Sequence, residues 1–366
     1  MNLNQESNFL RLLCLSASLV LFCAALAGGA ARRTGAPGQV PSEQASPGTT
    51  SQAGPQTKPE PPNSQDQKTQ PKDSKDQDEA IHLSSRLVLV PVSASDASGH
   101  PVKDLNTKDI VIEEDGQPQR VVALGEPGKT PLEIALLFDV SGSTHAQFTF
   151  EQQAAVQFVK AVLKPGDAVS LFAIGLTPKM VTARTTSAES AIAGITSITP
   201  QNEATAFFDS VVTAVHYVDK TAEPGSRRVL VVISDGEENY SKSSTLSDAL
   251  RELQKNDCLF YSINPTGAGI KLNKISLEGQ RFMEAMASQT GGQAFNPPQG
   301  AGLESVFGQI AAELQAQYLF GYYATDERTE GGFRRITVRA PNRPELRIRA
   351  RQGYYPAVGP APTARN

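Results

Sequence analysis

Cysteine is scarce in this chain of 366 residues: there are three, and two of them, Cys14 and Cys23, lie in an apolar run near the N-terminus. Beyond that run only Cys258 remains, so no internal disulfide can form there. Its setting, Cys258-Leu259-Phe260-Tyr261-Ser262-Ile263, marks it as a small buried hydrophobe and not a reactive thiol. The lack of disulfides does not exclude export, because the rest of the chain is long enough to build its own core. Basic charge is also in short supply: the net charge is −4 and the pI near 5.7, which gives no reason to expect nucleic acid as a partner. Catalytic motifs are missing as well. There is no H-E-x-x-H, G-x-S-x-G, Walker loop or G-x-G-x-x-G, and no evident general base, so no catalytic residue is assigned and the chain does not read as an enzyme.

What is present divides the chain into segments. Residues 1–33 read as an export signal: Leu12–Ala27 is apolar, follows Arg11, and ends in Ala25-Leu26-Ala27, a small-residue cleavage site. An uncleaved anchor is the alternative, since the apolar stretch extended to Ala31 is long enough to cross a bilayer. A lipid anchor at Cys23 is a third, although Phe22 is bulky for a lipoprotein box. All three place the remainder outside the cytoplasm, in the envelope or secreted. Residues 34–80 are Pro, Gln, Ser, Lys and Asp with almost nothing apolar, a composition that cannot offset its ordering entropy and reads as a disordered linker.

Residues 81–130 carry strand patterns at Arg86–Val92, Ile110–Glu114 and Arg120–Leu124, the last two joined across the turn signal Asp115-Gly116. Residues 131–317 alternate strand and helix, which predicts a doubly wound α/β sheet, mostly parallel. Residues 318–356 return to strands, at Tyr318–Ala324, Arg334–Ala340 and Leu346–Arg351, ahead of a tail at 357–366. Three short strands cannot enclose a core alone, so the two flanks are expected to pair into one small β-sandwich with the α/β unit inserted between its halves. The arginines of the last strands (Arg335, Arg339, Arg347, Arg349, Arg351) read as a solvated face, with a surface for acidic partners as the alternative.

The most informative stretch is Leu132–Ser143, LEIALLFDVSGS, a buried-strand pattern that ends abruptly in Asp139-x-Ser141-x-Ser143. A second buried strand, Arg228–Ser234, ends in Asp235-Gly236, and Thr205 stands where a helix begins after Gln201-Asn202-Glu203-Ala204. If the strand order reverses beside 132–138, these residues converge at the carboxyl end of the sheet, where open α/β sheets bind ligands. Two carboxylates there repel, and a divalent cation removes the difficulty. Hydroxyl and carboxylate oxygens around a small octahedral ion suit Mg²⁺ or Mn²⁺ better than Ca²⁺. Each residue also has a plain reading: Thr205 as an N-cap, Asp235-Gly236 as a turn. Asp209 reads as a helix-dipole partner, Glu237 and Glu238 as a solvated acidic loop, and His145 as a loop residue.

This pattern (D-x-S-x-S, a distant Thr, a distant Asp) resembles the metal-ion-dependent adhesion site of the von Willebrand factor type A domain, and the resemblance covers Leu132 to about Gln317. The flanks GHPVKDLNTKDIVIEEDGQPQ and YLFGYYA…RRITVRA…RIRARQGYY are similar to the VWFA-related group described from Acidobacteria. The resemblance implies direct metal contact by Ser141, Ser143 and Thr205, with Asp139 and Asp235 contacting the ion directly or through water. It also implies an open coordination position for an Asp or Glu carboxylate of a protein partner. Glu203 stands where many relatives have glycine and could compete for that position; Asp209 and Glu237 lie near the same set. The functional expectation is an exported, divalent-cation-dependent adhesion-type binding module. The alternatives are an envelope scaffold whose metal is structural and, third, a metal-assisted hydrolase. In some type A relatives the last helix shifts on ligand binding; here that helix runs almost directly into strand Tyr318–Ala324.

Overall fold

The computed structural model describes residues 87–141, 148–201, 203–267, 274–298, 302–324 and 331–356. The expected signal, linker and C-terminal tail, together with Ser143 and His145, lie outside the described residues. In chain order the elements are β1 (Leu87–Ser95), β2 (Val111–Glu114), β3 (Gln117–Gln119), β4 (Val121–Gly125), β5 (Leu132–Asp139), α1 (Phe148–Val162), β6 (Ala168–Ile174) and β7 (Lys179–Thr185). There follow α2 (Ala188–Ser197), α3 (Phe207–Thr221), β8 (Arg227–Ile233), α4 (Leu246–Lys255), β9 (Cys258–Ile263), α5 (Lys274–Thr290), β10 (Ala294–Phe295) and α6 (Leu303–Ala316). The chain closes with β11 (Tyr318–Tyr323), β12 (Arg334–Arg339), β13 (Arg347–Ala350) and β14 (Gly353–Tyr354).

The central sheet has the order β10-β9-β8-β5-β6-β7 and is parallel except for the edge strand β7. All eight residues of β5 are buried, because helices cover both faces of the sheet. Leu132, Ile134, Leu136 and Phe138 point toward α1, α2 and α6, while Ala135 and Leu137 point toward α3, α4 and α5. Cys258 is buried on the second side, where desolvation pushes its thiol well above the usual range, in keeping with an inert packing residue. Glu133, near the start of β5, is neutralised by a fork of hydrogen bonds from Arg184 at 2.7–3.2 Å. The chain leaves β5 toward β6 and returns to β5's other side as β8. The strand order therefore reverses between β5 and β8, and a crevice opens at their carboxyl ends.

The flanks form two antiparallel four-stranded sheets, β13-β1-β11-β4 and β14-β12-β2-β3. Val90, Val92, Ile112, Phe320, Tyr322 and Ile336 fill the layer between them. β1 pairs with β11 over six residues, so the N-terminal and C-terminal flanks are one structure. The pairing differs from the expected hairpin in one respect. Across Asp115-Gly116, both at positive φ, β2 pairs with the short β3, and β4 crosses to the other sheet to pair with β11. The turn signal was local and correct, but the partner of β4 is set by packing nearly two hundred residues away.

Of the arginines of the last strands, Arg335, Arg339 and Arg347 are exposed as expected, but Arg349 and Arg351 are not on a solvated face. Arg339 pairs with Glu113 within the sandwich, but Arg349 and Arg351 reach the α/β unit. Arg349 pairs with Glu313 on α6 and donates to the Gly292 carbonyl at 2.9 Å; Arg351, itself buried, pairs with Asp257 and donates to Leu89 O at 2.7 Å. Glu313 further accepts from Ser93 at 2.8 Å and Tyr261 at 2.6 Å, so one buried carboxylate joins β1, β9, β13 and α6. Gly291, at φ +90°, permits this close packing: a Cβ there would lie 2.6 Å from the Arg351 backbone nitrogen. Arg227 at the start of β8 holds both crossings between the two parts, donating to Thr130 O at 3.2 Å and to Leu314 O at 2.9 Å.

Candidate functional site

Asp139 is the last residue of β5 and is fully buried. Its Oδ1 accepts the Ser141 backbone N–H at 2.9 Å, closing an Asx turn, and its Oδ2 accepts the Ser234 hydroxyl at 2.6 Å. Ser234 follows β8, and its Oγ in turn accepts the Gly236 N–H at 2.9 Å. One hydroxyl thus ties the loop after β5 to the loop after β8. Asp235 is 4% exposed and accepts the Glu237 N–H at 3.1 Å. Gly236 (φ +77°) lets α5 approach: a Cβ there would meet the Gly279 carbonyl at 2.7 Å.

Thr205 is 1% exposed, just ahead of α3. Asn239 holds it on both sides, accepting its N–H at 2.8 Å and donating its own N–H to Thr205 O at 3.2 Å. The neighbouring segment is pinned to β5 and β6 through Gln201 N–H to Val140 O at 2.5 Å and Ala206 N–H to Gly175 O at 2.9 Å. The helix behind Thr205 is capped from outside its own sequence. Glu238 accepts the Phe208 N–H at 3.0 Å and also takes the Ser241 hydroxyl at 2.6 Å.

Asp139, Ser141, Thr205 and Asp235 therefore stand on three loops stitched together at one end of the sheet. Ser143 lies outside the described residues. The neighbouring acids have separate employment. Glu203 is exposed, with Oε2 3.5 Å from where a Cβ on Gly175 would stand, so it sits on the rim at the end of β6. Asp209 turns to the 242–243 loop, accepting from Lys242 N at 2.9 Å and Ser243 N at 3.2 Å. Partial burial opposes its charge, but these bonds win and hold its carboxyl below the ordinary value. Glu237 accepts the Ser276 hydroxyl at 2.7 Å on α5.

Sequence reasoning passed over three participants. Ser234 was visible only as the end of a strand, and Asn239 carries no signal of its own. Glu151 had one: at helical spacing it falls among Phe148, Ala154, Ala155 and Phe158, on the buried stripe of α1. It is fully buried, and among the described residues neither carboxylate oxygen has a hydrogen-bond partner.

The electrostatics of this end of the sheet are adverse to two acids, Asp139 and Glu151. Burial raises Asp139 to about 6, against hydrogen bonds from Ser234 and Ser141, and the charge of Asp235 adds to the rise. Burial raises Glu151 to about 8, with Asp139 and Asp235 contributing further. Among the described residues no three Asp, Glu, His or Cys side chains come close enough to grip an ion unaided. The donors are instead hydroxyls combined with acids, all of them oxygen, and burial disfavours the ionised form of Asp139 and Glu151. Such a set fits a hard divalent cation.

An open α/β sheet with oxygen donors at its topological switch point defines the class of domain. Residues 134–238, from β5 through the loop after β8, match the model of the von Willebrand factor type A domain. Similar solved structures include the conserved hypothetical protein BatB from Bacteroides thetaiotaomicron (18% identity, 49% of this chain and 97% of that one, TM-score 0.39). The vWF domain of the type V pili tip protein Mfa5 from Porphyromonas gingivalis is another (13% identity, 50% and 94%, TM-score 0.41). A von Willebrand factor type A protein from Catenulispora acidiphila is a third (13% identity, 63% and 50%, TM-score 0.41). No curated protein matches the chain.

Proposed function

We propose that this chain is an exported protein-binding module that engages an acidic group of a partner through a divalent cation, Mg²⁺ or Mn²⁺. The observation that carries the reading is the pair of buried aspartates, Asp139 and Asp235, held beside Ser141 and Thr205 on loops fixed to one another. Two carboxylates buried close together are costly, and hydroxyl ligands neutralise none of the ion's charge. An ion held in this way stays electrophilic, which suits a carboxylate from outside. Ser143, next in the D-x-S-x-S pattern, would complete the ligand set. Export rests on the apolar N-terminal stretch with its small-residue cleavage pattern. No helix among the described residues is long and apolar enough to cross a membrane.

A second reading, an envelope scaffold whose ion only stiffens the loops, is favoured by the burial of the donors. None of Asp139, Ser141, Thr205 and Asp235 exceeds 5% exposure. The two readings separate in one experiment. The full chain is used to capture partners from envelope extract in Mg²⁺ and in chelator, alongside Asp139→Ala. Capture that requires Mg²⁺ and Asp139, while the variant still melts cooperatively, supports recognition through the ion. Capture unaffected by chelator and by the substitution refutes it.

A further inference from the structure

We propose that Glu151 is a positioning residue of the cation site, a third acid whose two unpartnered oxygens accept hydrogen bonds from the water shell of the ion. The inference rests on the cation-binding reading above and goes beyond the D-x-S-x-S, Thr and Asp pattern, which does not include α1. Glu151 stands in the first turn of α1, the helix that follows the loop after β5, and its side chain turns inward with Phe148 and Ala154. Both oxygens are sealed from solvent, and neither meets a donor among the described residues. A buried carboxylate in that condition is rare in a folded protein, because the uncompensated desolvation is large.

The stripe of α1 that carries Glu151 packs against the end of β5: Phe148 and Ala154 lie in one cluster with Phe138 and Val140, which flank Asp139, and the Phe148 and Phe138 rings are 6.4 Å apart. A glutamate that served only packing would do better as leucine or glutamine on this apolar stripe. Its presence is explained if the missing donors arrive with a ligand. No three acids here are close enough to grip an ion unaided, which makes contact through bound water the fitting role for Glu151 and leaves the inner positions to the hydroxyls and aspartates.

The test is isothermal titration of the full chain with Mg²⁺ and Mn²⁺, for wild type, Glu151→Gln and, as a control on an exposed acid, Glu189→Gln. Each protein is also melted in chelator. Glutamine keeps the shape of the side chain while removing its charge. The expected result is an affinity for both ions about 10-fold or more weaker in Glu151→Gln. Its melting point in chelator should equal or exceed that of wild type, because an unpaired buried acid has been removed. A role in packing alone predicts unchanged affinity. Binding within twofold of wild type overturns the proposal and leaves the cation reading intact. A wild-type chain that binds neither ion overturns both. Should Glu151→Gln fail to fold, Glu151→Met is measured in its place; failure of both assigns Glu151 to the core and overturns the proposal.

Discussion

Replacing Asp139 by asparagine reverses its effect on stability according to whether a divalent ion is present. In chelator at pH 7.5 the aspartate is ionised although burial and Asp235 hold its pKa near 6, against an ordinary value of 3.8. At about 1.4 kcal/mol per pKa unit, the ionised form costs the folded state roughly 3 kcal/mol. Asparagine removes that cost but keeps only one carbonyl oxygen, where Asp139 accepts Ser141 N–H on one oxygen and the Ser234 hydroxyl on the other. The lost acceptor takes back about 1–2 kcal/mol. The net expectation is a gain of about 1–2 kcal/mol in chelator, or several degrees in melting temperature.

The pH dependence has a definite sign. The folded pKa is raised, so the folded state binds more protons than the unfolded state between about pH 4 and 6, and stability falls as pH rises through that window. Asp139→Asn should lack this contribution to the slope. With Mg²⁺ at one hundred times its dissociation constant, wild type gains about 2.7 kcal/mol that the variant does not, and the order inverts. Urea melts at pH 4.5, 6 and 7.5, with chelator and with Mg²⁺, measure every one of these quantities. A variant clearly less stable than wild type in chelator at pH 7.5 would refute the claim that Asp139 is under electrostatic stress.

Three further substitutions probe the surroundings. Glu313→Ala leaves Arg349 without its partner and Tyr261 and Ser93 without an acceptor, so the denaturation midpoint should correspond to a loss of about 3–5 kcal/mol. Asn239→Ala removes the acceptor for Thr205 N–H and should weaken Mg²⁺ binding by about 10-fold in titration, with the fold retained by circular dichroism. Thr245→Ala breaks the capping box in which Thr245 and Asp248 bond each other's backbone N–H; thermal melts should show a loss of about 1 kcal/mol with cation affinity unchanged.

The sequence was most legible where burial is extreme. β5 and β8 are near-continuous apolar runs because both faces of the sheet are covered, and their abrupt polar ends locate the crevice without any knowledge of pairing. Helix α4 was legible to the residue because its cap and its Lys255 end are both local. The pairing of β4 with β11 was hidden, since nothing near Val121 encodes a strand that lies beyond the whole α/β unit. The destination of Arg349 and Arg351 was hidden for a related reason. Alternation tells which residues leave the sandwich core, not whether water or another layer receives them. Arg349 and Arg351 meet Glu313 and Asp257, residues that lie in a different part of the chain. Glu151 was hidden in plain view: a lone acid on an apolar helix face is a weak signal until the fold shows that the face packs on the end of β5.

The construction of the crevice bears on how an ion would act there. Three loops are fixed by bonds that involve no ion: Gln201 N–H to Val140 O, Ala206 N–H to Gly175 O, Tyr240 N–H to Thr205 O, and the Ser234 hydroxyl to Asp139. The repulsion among the acids is thus carried by a framework already in place, which differs from a small metal domain that folds only when loaded. Binding then costs little reorganisation, and the gain in stability follows mass action and not a change of fold. Far-ultraviolet circular dichroism and the urea m-value should be the same in chelator and in Mg²⁺ while the midpoint moves. An m-value that rises on adding Mg²⁺, or a far-ultraviolet signal that grows, would mean that the loops order only around the ion and that this framework is too weak to hold the site alone.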